Sequence, residues 1–338
     1  MVNSKESIKA AGRVEGMDIS KNMILVATSN LGGNTWDSSL QVYNSSTKEA
    51  VAAIQQPCGC ADVCWTKLGQ RAICAEDSGD VKVYRMDEEA PTRLVEVAIL
   101  QEHDDIVSSV AASHSHDGLV LSGSFDRSMN IWDIASDRSA CLSTFTGHSG
   151  NVTAVEWTAG EDDDQVFASS STDCSLRVWD RRQAQGCCAC HWLGAPALSL
   201  SWDPCSKVLI AVGCEDGTVA VLDKRALSFP VSIQGATKSG SGVYRSTSAC
   251  KGTHTGRVNR TTFGPASPDD DRHKSALLAS VGDDGVVAVR RVGDESYHSR
   301  SALHSDYAKA LTWRDGNTLI SGGWDSELCF TELGLTGV

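Results

Sequence analysis

The chain has 338 residues, 41% of them hydrophobic and 6% aromatic, and a formal net charge of −13. That acidic balance disfavours direct contact with nucleic acid, whose phosphates need a basic surface, and favours basic protein partners. No apolar run of about 18 residues is present to cross a membrane as a helix, and MVNSKESIKAAG lacks the core of a secretory signal, so a cytoplasmic and nuclear protein is expected.

In chain order, Ser7 to Ala10 first reads as a short strand without a neighbour to pair with. Short Val/Ile/Leu runs broken by Gly, Asp and Ser clusters follow, the pattern of an all-β chain. The runs repeat. SGSFDRSMNIWD from Ser122 and SSSTDCSLRVWD from Ser169 place Trp132 and Trp179 47 residues apart, near the ~40–45 residue period of WD-type propeller blades.

Similar third-strand ends recur at Tyr43, Tyr84, Leu222, Arg290 and Thr331, and first strands end in Trp65, Trp157, Trp202, Phe263 and Trp313. The spacing predicts blades over 12–55, 58–98, 104–145, 149–192, 195–232, 255–302 and 305–338, with 4–11 completing the last. The expected fold is therefore a single domain, 1–338: an all-β, seven-bladed WD40 β-propeller closed by an N-terminal strand. The Ser/Gly/Thr-rich stretch 232–252 is expected to be a flexible insertion between the fifth and sixth blades.

Two blades carry matching polar sets: His103, Ser122, Asp126 and Trp132, then His148, Ser169, Asp173 and Trp179. On a propeller blade these form one internal hydrogen-bonded tetrad, which holds the blade together. The same residue types serve hydrolases, but no G-x-S-x-G motif is present and no oxyanion hole is implied, so no enzyme is expected. Blade six has His254, Ser280 and Asp284 with Arg290 at the Trp position, and blade seven has His304, Ser321 and Asp325 with Thr331.

The 13 cysteines are expected to be free thiols of a reducing compartment. Cys58, Cys60, Cys64 and Cys74 are close in sequence, as are Cys187, Cys188 and Cys190, but zinc sites usually set one C-x₂₋₄-C pair against a second, and neighbours such as Cys187 and Cys188 should point to opposite strand faces, so neither a metal nor any other cofactor is expected.

Four segments resemble the methylosome WD-repeat subunit family: GGNTWDSSLQVY from Gly32, EDSGDVKVYRMDE from Glu76, QEHDDIVSSV from Gln101 and SGGWDSEL from Ser321. The resemblance implies a non-catalytic adaptor that forms a hetero-oligomer with a type II protein arginine methyltransferase and helps present histones and Sm proteins. It also implies that the first-blade loop docks on the enzyme, with Trp36 as anchor between Asn34 and Asp37. Asn34 and Thr35 stand where some family members carry a basic residue.

Two other readings compete. Trp179-Asp180-Arg181-Arg182 fits the W-D-x-R box of cullin-type ubiquitin ligase receptors, and a generic WD-repeat scaffold needs only the blades. Within the methylosome reading, a binder of basic peptides would use the acidic runs Asp162 to Asp164 and Asp269 to Asp271.

Overall fold

The computed structural model describes residues 3–32, 35–87, 89–90, 92–135, 139–158, 164–183, 186–227, 248–250, 253–265, 276–294 and 296–334. The described strands form seven four-stranded antiparallel sheets, the blades of a β-propeller.

Blade one is β2 (Arg13–Ser20), β3 (Met23–Gly32), β4 (Thr35–Asn44) and β5 (Ala50–Gln56). Blade two is β6 (Cys60–Trp65), β7 (Arg71–Glu76), β8 (Asp80–Met86) and β9 (Leu94–Gln101). Blade three is β10 (Val107–Ala112), β11 (Leu119–Ser124), β12 (Ser128–Asp133) and β13 (Ala140–Thr146). Blade four is β14 (Val152–Trp157), β15 (Val166–Ser171), β16 (Ser175–Asp180) and β17 (Cys187–Trp192).

Blade five is β18 (Ala197–Trp202), β19 (Leu209–Cys214), β20 (Val219–Asp223) and β21 (Ser248–Cys250). Blade six is β22 (Val258–Phe263), β23 (Leu277–Gly282), β24 (Val286–Arg291) and β25 (Ser299–Ala302). Blade seven combines β26 (Ala308–Trp313), β27 (Thr318–Gly323) and β28 (Glu327–Glu332) with β1 (Asn3–Lys9). β1 pairs with β28 from Asn3↔Glu332 to Lys9↔Glu327. That pairing covers the β28 edge with the other end of the chain and closes the ring.

The expected insertion 232–252 needs one correction. Ser248–Cys250 is not loop but the fourth strand of blade five, paired Val219↔Cys250 to Val221↔Ser248. Small residues at Ser248 and Ala249 gave no strand signal, and pairing to β20 decides their conformation. The rest of that stretch lies outside the described residues.

The core is divided among the blade junctions. Leu25, Val42, Val63 and Trp65 pack between blades one and two, and Phe145, Trp157, Phe167 and Trp179 between blades three and four. Between blades seven and one lie Val14, Met17, Ile320 and Phe330. Each sheet therefore buries its faces against both neighbours, so a blade has no core of its own and the ring is the stable unit.

Each innermost strand has a bulge near its start. The register shifts between Val14/Gly16, Cys60/Asp62, Val107/Ser109, Val152/Ala154, Ala197/Ser199, Val258/Arg260 and Ala308/Ala310. A bulge leaves one residue out of the ladder and re-aims its side chain. Glu15, Ser108, Thr153, Asn259 and Lys309 are such residues, and all line the central channel.

Candidate functional site

The tetrads come first, because their residue types mimic a catalytic triad. In blade three, His103 Nδ1 lies 2.8 Å from Asp126 Oδ2, His103 Nε2 lies 2.8 Å from Ser122 Oγ, and Trp132 Nε1 donates to that hydroxyl at 2.8 Å. Blade four repeats this for His148, Asp173, Ser169 and Trp179 at 2.9, 2.7 and 2.8 Å. Because the carboxylate accepts only, the network assigns the proton to Nδ1, leaving Nε2 to accept from the serine.

Both serines are fully buried. Ser122 Oγ is occupied on both sides, by the indole and by the imidazole. Asp126 also accepts from the backbone N–H of Asp104 and from both donors of Ser128. No acceptor position is left for a substrate.

Burial pushes the His103, His148 and His254 imidazoles below their ordinary value, against the pull of their aspartates. Burial opposes ionisation of Asp126 and Asp173 too. Hydrogen bonds outweigh it, those of His148 and Ser175 holding Asp173 well below the carboxylate range and those of Ser128 and His103 lowering Asp126.

Blades six and seven keep the His–Ser–Asp chain without the indole: His254 with Asp284 and Ser280, both at 2.9 Å, and His304 with Asp325 and Ser321, at 3.0 and 2.8 Å. Arg290, at the Trp position of blade six, is buried with its Nη2 unpartnered. Blade two substitutes a buried ion pair, Lys82 Nζ to Glu76 Oε1 at 3.0 Å, and a bond from Tyr84 to Gln56 at 2.9 Å.

The central channel encloses about 590 Å3 and is lined by all seven innermost strands. Its polar side chains largely fasten one blade to the next. Asp18 accepts from Trp65 N–H at 2.8 Å, Glu156 from Trp202 N–H at 3.0 Å and Ser201 from Phe263 N–H at 3.2 Å. Asp62 accepts from Val110 N–H at 3.2 Å and Ser109 from Val155 N–H at 3.3 Å.

Bulge residues add the reverse contact. Ser108 donates to Val152 C=O at 2.7 Å, Thr153 to Ala197 C=O at 2.7 Å and Asn259 to Ala308 C=O at 2.8 Å. Across the channel, Arg260 Nη1 meets Asp62 Oδ1 at 3.1 Å. Burial pushes the Glu156 carboxyl up to about 8 and the Asp18 carboxyl up to about 6, only partly offset by their backbone donors and Arg260.

The residues of the resembled docking loop fall elsewhere. Trp36 is on β4, not in a loop: the hairpin continues through Asn30↔Asp37, Leu31↔Trp36 and Gly32↔Thr35. The polar, Gly-rich spelling hid two long strands that pair to the tip. Asp37 is exposed, and Asn34 lies outside the described residues. Trp36 and Asp37 are on blade one, which carries neither complete tetrad.

The acidic run of blade four is also not a free surface where it is described. Asp164 is buried and accepts from Ser113 at 2.6 Å, from Ser115 and from His116 Nδ1, tying blade four to blade three. Ser115 Oγ also lies 3.2 Å from His116 Nδ1, and both groups turn to the same Asp164 oxygen. Asp162, Asp163 and Asp269 to Asp271 lie outside the described residues.

One expectation about cysteine is corrected: Cys60 of β6 and Cys74 of β7 form a disulfide inside blade two, so the thiols are not all free. Burial pushes the thiols of Cys187, Cys188 and Cys190 up, away from the thiolate that a metal needs. No group of three or more metal-ligating side chains occurs among the described residues.

Two comparisons bear on identity. The family described as WD domain, G-beta repeat matches residues 94–133 and 139–180, the stretch that carries both complete tetrads' Trp residues. The ribosome biogenesis protein WDR12 homologue of Nematostella vectensis is 30% identical over 156 residues, 40% of this chain and 36% of that protein. That of Drosophila mojavensis is 24% identical over 282 residues, 80% of this chain and 50% of that protein. The WD-40 repeat-containing protein MSI3 of Arabidopsis thaliana is 28% identical over 138 residues, 40% and 32% of the two chains. The chain spans half or less of the length of these relatives.

These relatives overturn the resemblance to the methylosome subunit, and with it the methyltransferase, histone and Sm-protein partners. The structure explains the misleading spelling. In QEHDDIVSSV, His103 belongs to the tetrad, the Asp104 N–H bonds Asp126, and the Asp105 carboxylate caps the Ile106 N–H, so the run takes part in blade closure. The ubiquitin-ligase box finds no support either: Arg182 closes on Asp180 at 2.6 and 2.8 Å within its own turn.

Proposed function

We propose that the chain is a non-catalytic propeller scaffold that works in ribosome biogenesis in the nucleus. The observation that carries it is the extent of likeness to the WDR12 homologue of Drosophila mojavensis, 282 residues and 80% of this chain. A match of that length runs through most blades and their loops, not only through the two repeats that any such propeller would share.

The chemistry of the interior supports a scaffold. Each tetrad's Ser–His–Asp set is consumed within its blade, and the channel carboxylates serve the junctions between blades. What remains for function is the outer surface, as in most propellers.

The test is sedimentation. Tagged protein expressed in its native cells is expected to travel in nuclear extract with precursor ribosomal particles, and its depletion to deplete one mature subunit. Sedimentation away from such particles, with unchanged subunit ratios after depletion, would remove the proposal.

A further inference from the structure

Blade seven departs from its neighbours at two surface positions that its fold does not require. The residue just before the tetrad aspartate is Phe125, Thr172 and Asp283 in blades three, four and six, and Trp324 in blade seven. The residue just before the innermost strand is Ile106, Asn151 and Arg257 in those blades, and Tyr307 in blade seven. In every case a backbone bond joins the two positions, here Trp324 N–H to Tyr307 C=O at 2.9 Å, so the tetrad closes whatever side chains stand there.

In blade seven the two rings meet at 5.2 Å, and Tyr307 is 41% exposed. Two cations complete the group. Arg13, from blade one, lies 5.1 Å from the Trp324 ring, and Lys309 lies 5.3 Å from Trp324 and 5.7 Å from Tyr307. Trp324 Nε1 donates to Glu15 at 3.1 Å, and Ser29 fixes the other Glu15 oxygen. The indole is therefore held in place before any ligand arrives.

Arg13 has no ion-pair partner among the described residues. Lys309 bonds Asn259 at 3.1 Å and stands 3.7 Å from Asp283. Lys309 thus already has a carboxylate beside it, and the cation of the cluster that lacks one among the described residues is Arg13.

We propose that Tyr307, Trp324, Arg13 and Lys309 form a docking site for an acidic segment of a protein partner, its carboxylate between the two cations and an apolar side chain on Tyr307. Tyr, Trp and Arg are the residues that most often dominate interface energy. Glu15, Asp283 and Asp306 interrupt the positive charge around the cluster, which suits a single carboxylate better than the continuous track that a nucleic-acid backbone requires. The net charge of −13 acts at long range, where salt screens it beyond about 8 Å, whereas the two cations act in contact. The site does not depend on the ribosome biogenesis reading.

The experiment selects a random twelve-residue peptide library displayed on phage against the whole protein, then measures the enriched peptides by fluorescence anisotropy. Acidic peptides with an aromatic or aliphatic residue are expected, losing about tenfold in affinity to Arg13→Gln and to Lys309→Gln, with Arg13→Lys recovering part. Tyr307→Ala is expected to cost a similar factor, and each variant's melting temperature is checked against the parent. No enrichment, enrichment of neutral or basic peptides, or acidic peptides that bind folded Arg13→Gln and Lys309→Gln unchanged would overturn the proposal. So would a ten-residue oligouridylate competing at the same variants more tightly than the peptides.

Discussion

Arg260 of blade six and Asp62 of blade two meet across the central channel at 3.1 Å, although 198 residues separate them in the chain. Asp62 is almost fully buried and also accepts from Ser109 and from the Val110 backbone. Removing the guanidinium leaves that carboxylate short of a counter-charge. Arg260→Ala is expected to cost about 3 kcal/mol in urea unfolding, and Asp62→Asn combined with it less than the sum of the two singles. Additivity of the two would mean that the pair is not coupled.

The tetrads differ from their substitutes in what they hold. Asp173→Ala would orphan the His148 Nδ1–H and the Ser149 and Ser175 N–H groups together, so a loss of about 2–4 kcal/mol is expected. Ser78→Ala, at the matching place in blade two, loses contacts to Glu76, Asp80 N–H and Cys58, none of them to a tetrad histidine, and should cost under about 1 kcal/mol. Thermal unfolding of the two variants compares them directly; equal losses would contradict the ranking.

Arg290 offers the opposite sign. It is buried, its Nη2 has no partner, and burial pushes its pKa below the ordinary value. Arg290→Met keeps volume and removes the unpaired donor, so stability should rise by about 1–2 kcal/mol. A lower melting temperature would show that the guanidinium contributes more than it costs.

Glu156 sets a pH dependence. In the folded protein its carboxyl ionises near 8 rather than at its ordinary 4.5, so between these values the folded state holds a proton that the unfolded chain has released. Stability from this group is therefore complete at low pH and falls as pH rises through that window. The fall between pH 6 and 8 is on the order of 2 kcal/mol. Glu156→Gln keeps the acceptor for Trp202 N–H and should flatten the decline. The buried histidines act the other way, withdrawing stability as pH drops below their unfolded value. Denaturant unfolding of parent and variant at pH 6, 7 and 8 separates the two; an unchanged slope in the variant would reject the assignment.

β1 closes the ring by pairing with β28. Deleting residues 3–9 exposes the β28 edge and removes Ile8 from its packing between blades seven and one, so the melting temperature should fall by well over 5 °C and dimers or aggregates should appear on gel filtration. An unaltered melting curve would show that three strands suffice for blade seven.

What could be read without coordinates follows from periodicity. The tetrad residues recur at fixed offsets because one blade is a local unit, and Ser122, Asp126 and Trp132 sit within eleven residues. The same locality makes a loop such as His103 to Ile106 resemble the mark of a partner, whereas its groups serve blade closure. Gly, Asn and Ser around Trp36 spell a loop, whereas pairing with Leu31 extends the strand through it.

The sequence by itself therefore determined the number of blades, their polar tetrads and the closure by the N-terminal strand. Only the tertiary structure decided which side chains share the channel and its rim. Asp62 with Arg260, Glu156 with Trp202, and Arg13 with Trp324 join different blades. Repeat spacing specifies how a blade pairs with itself, but contacts across the ring depend on how seven twisted sheets pack and close, which no local pattern encodes.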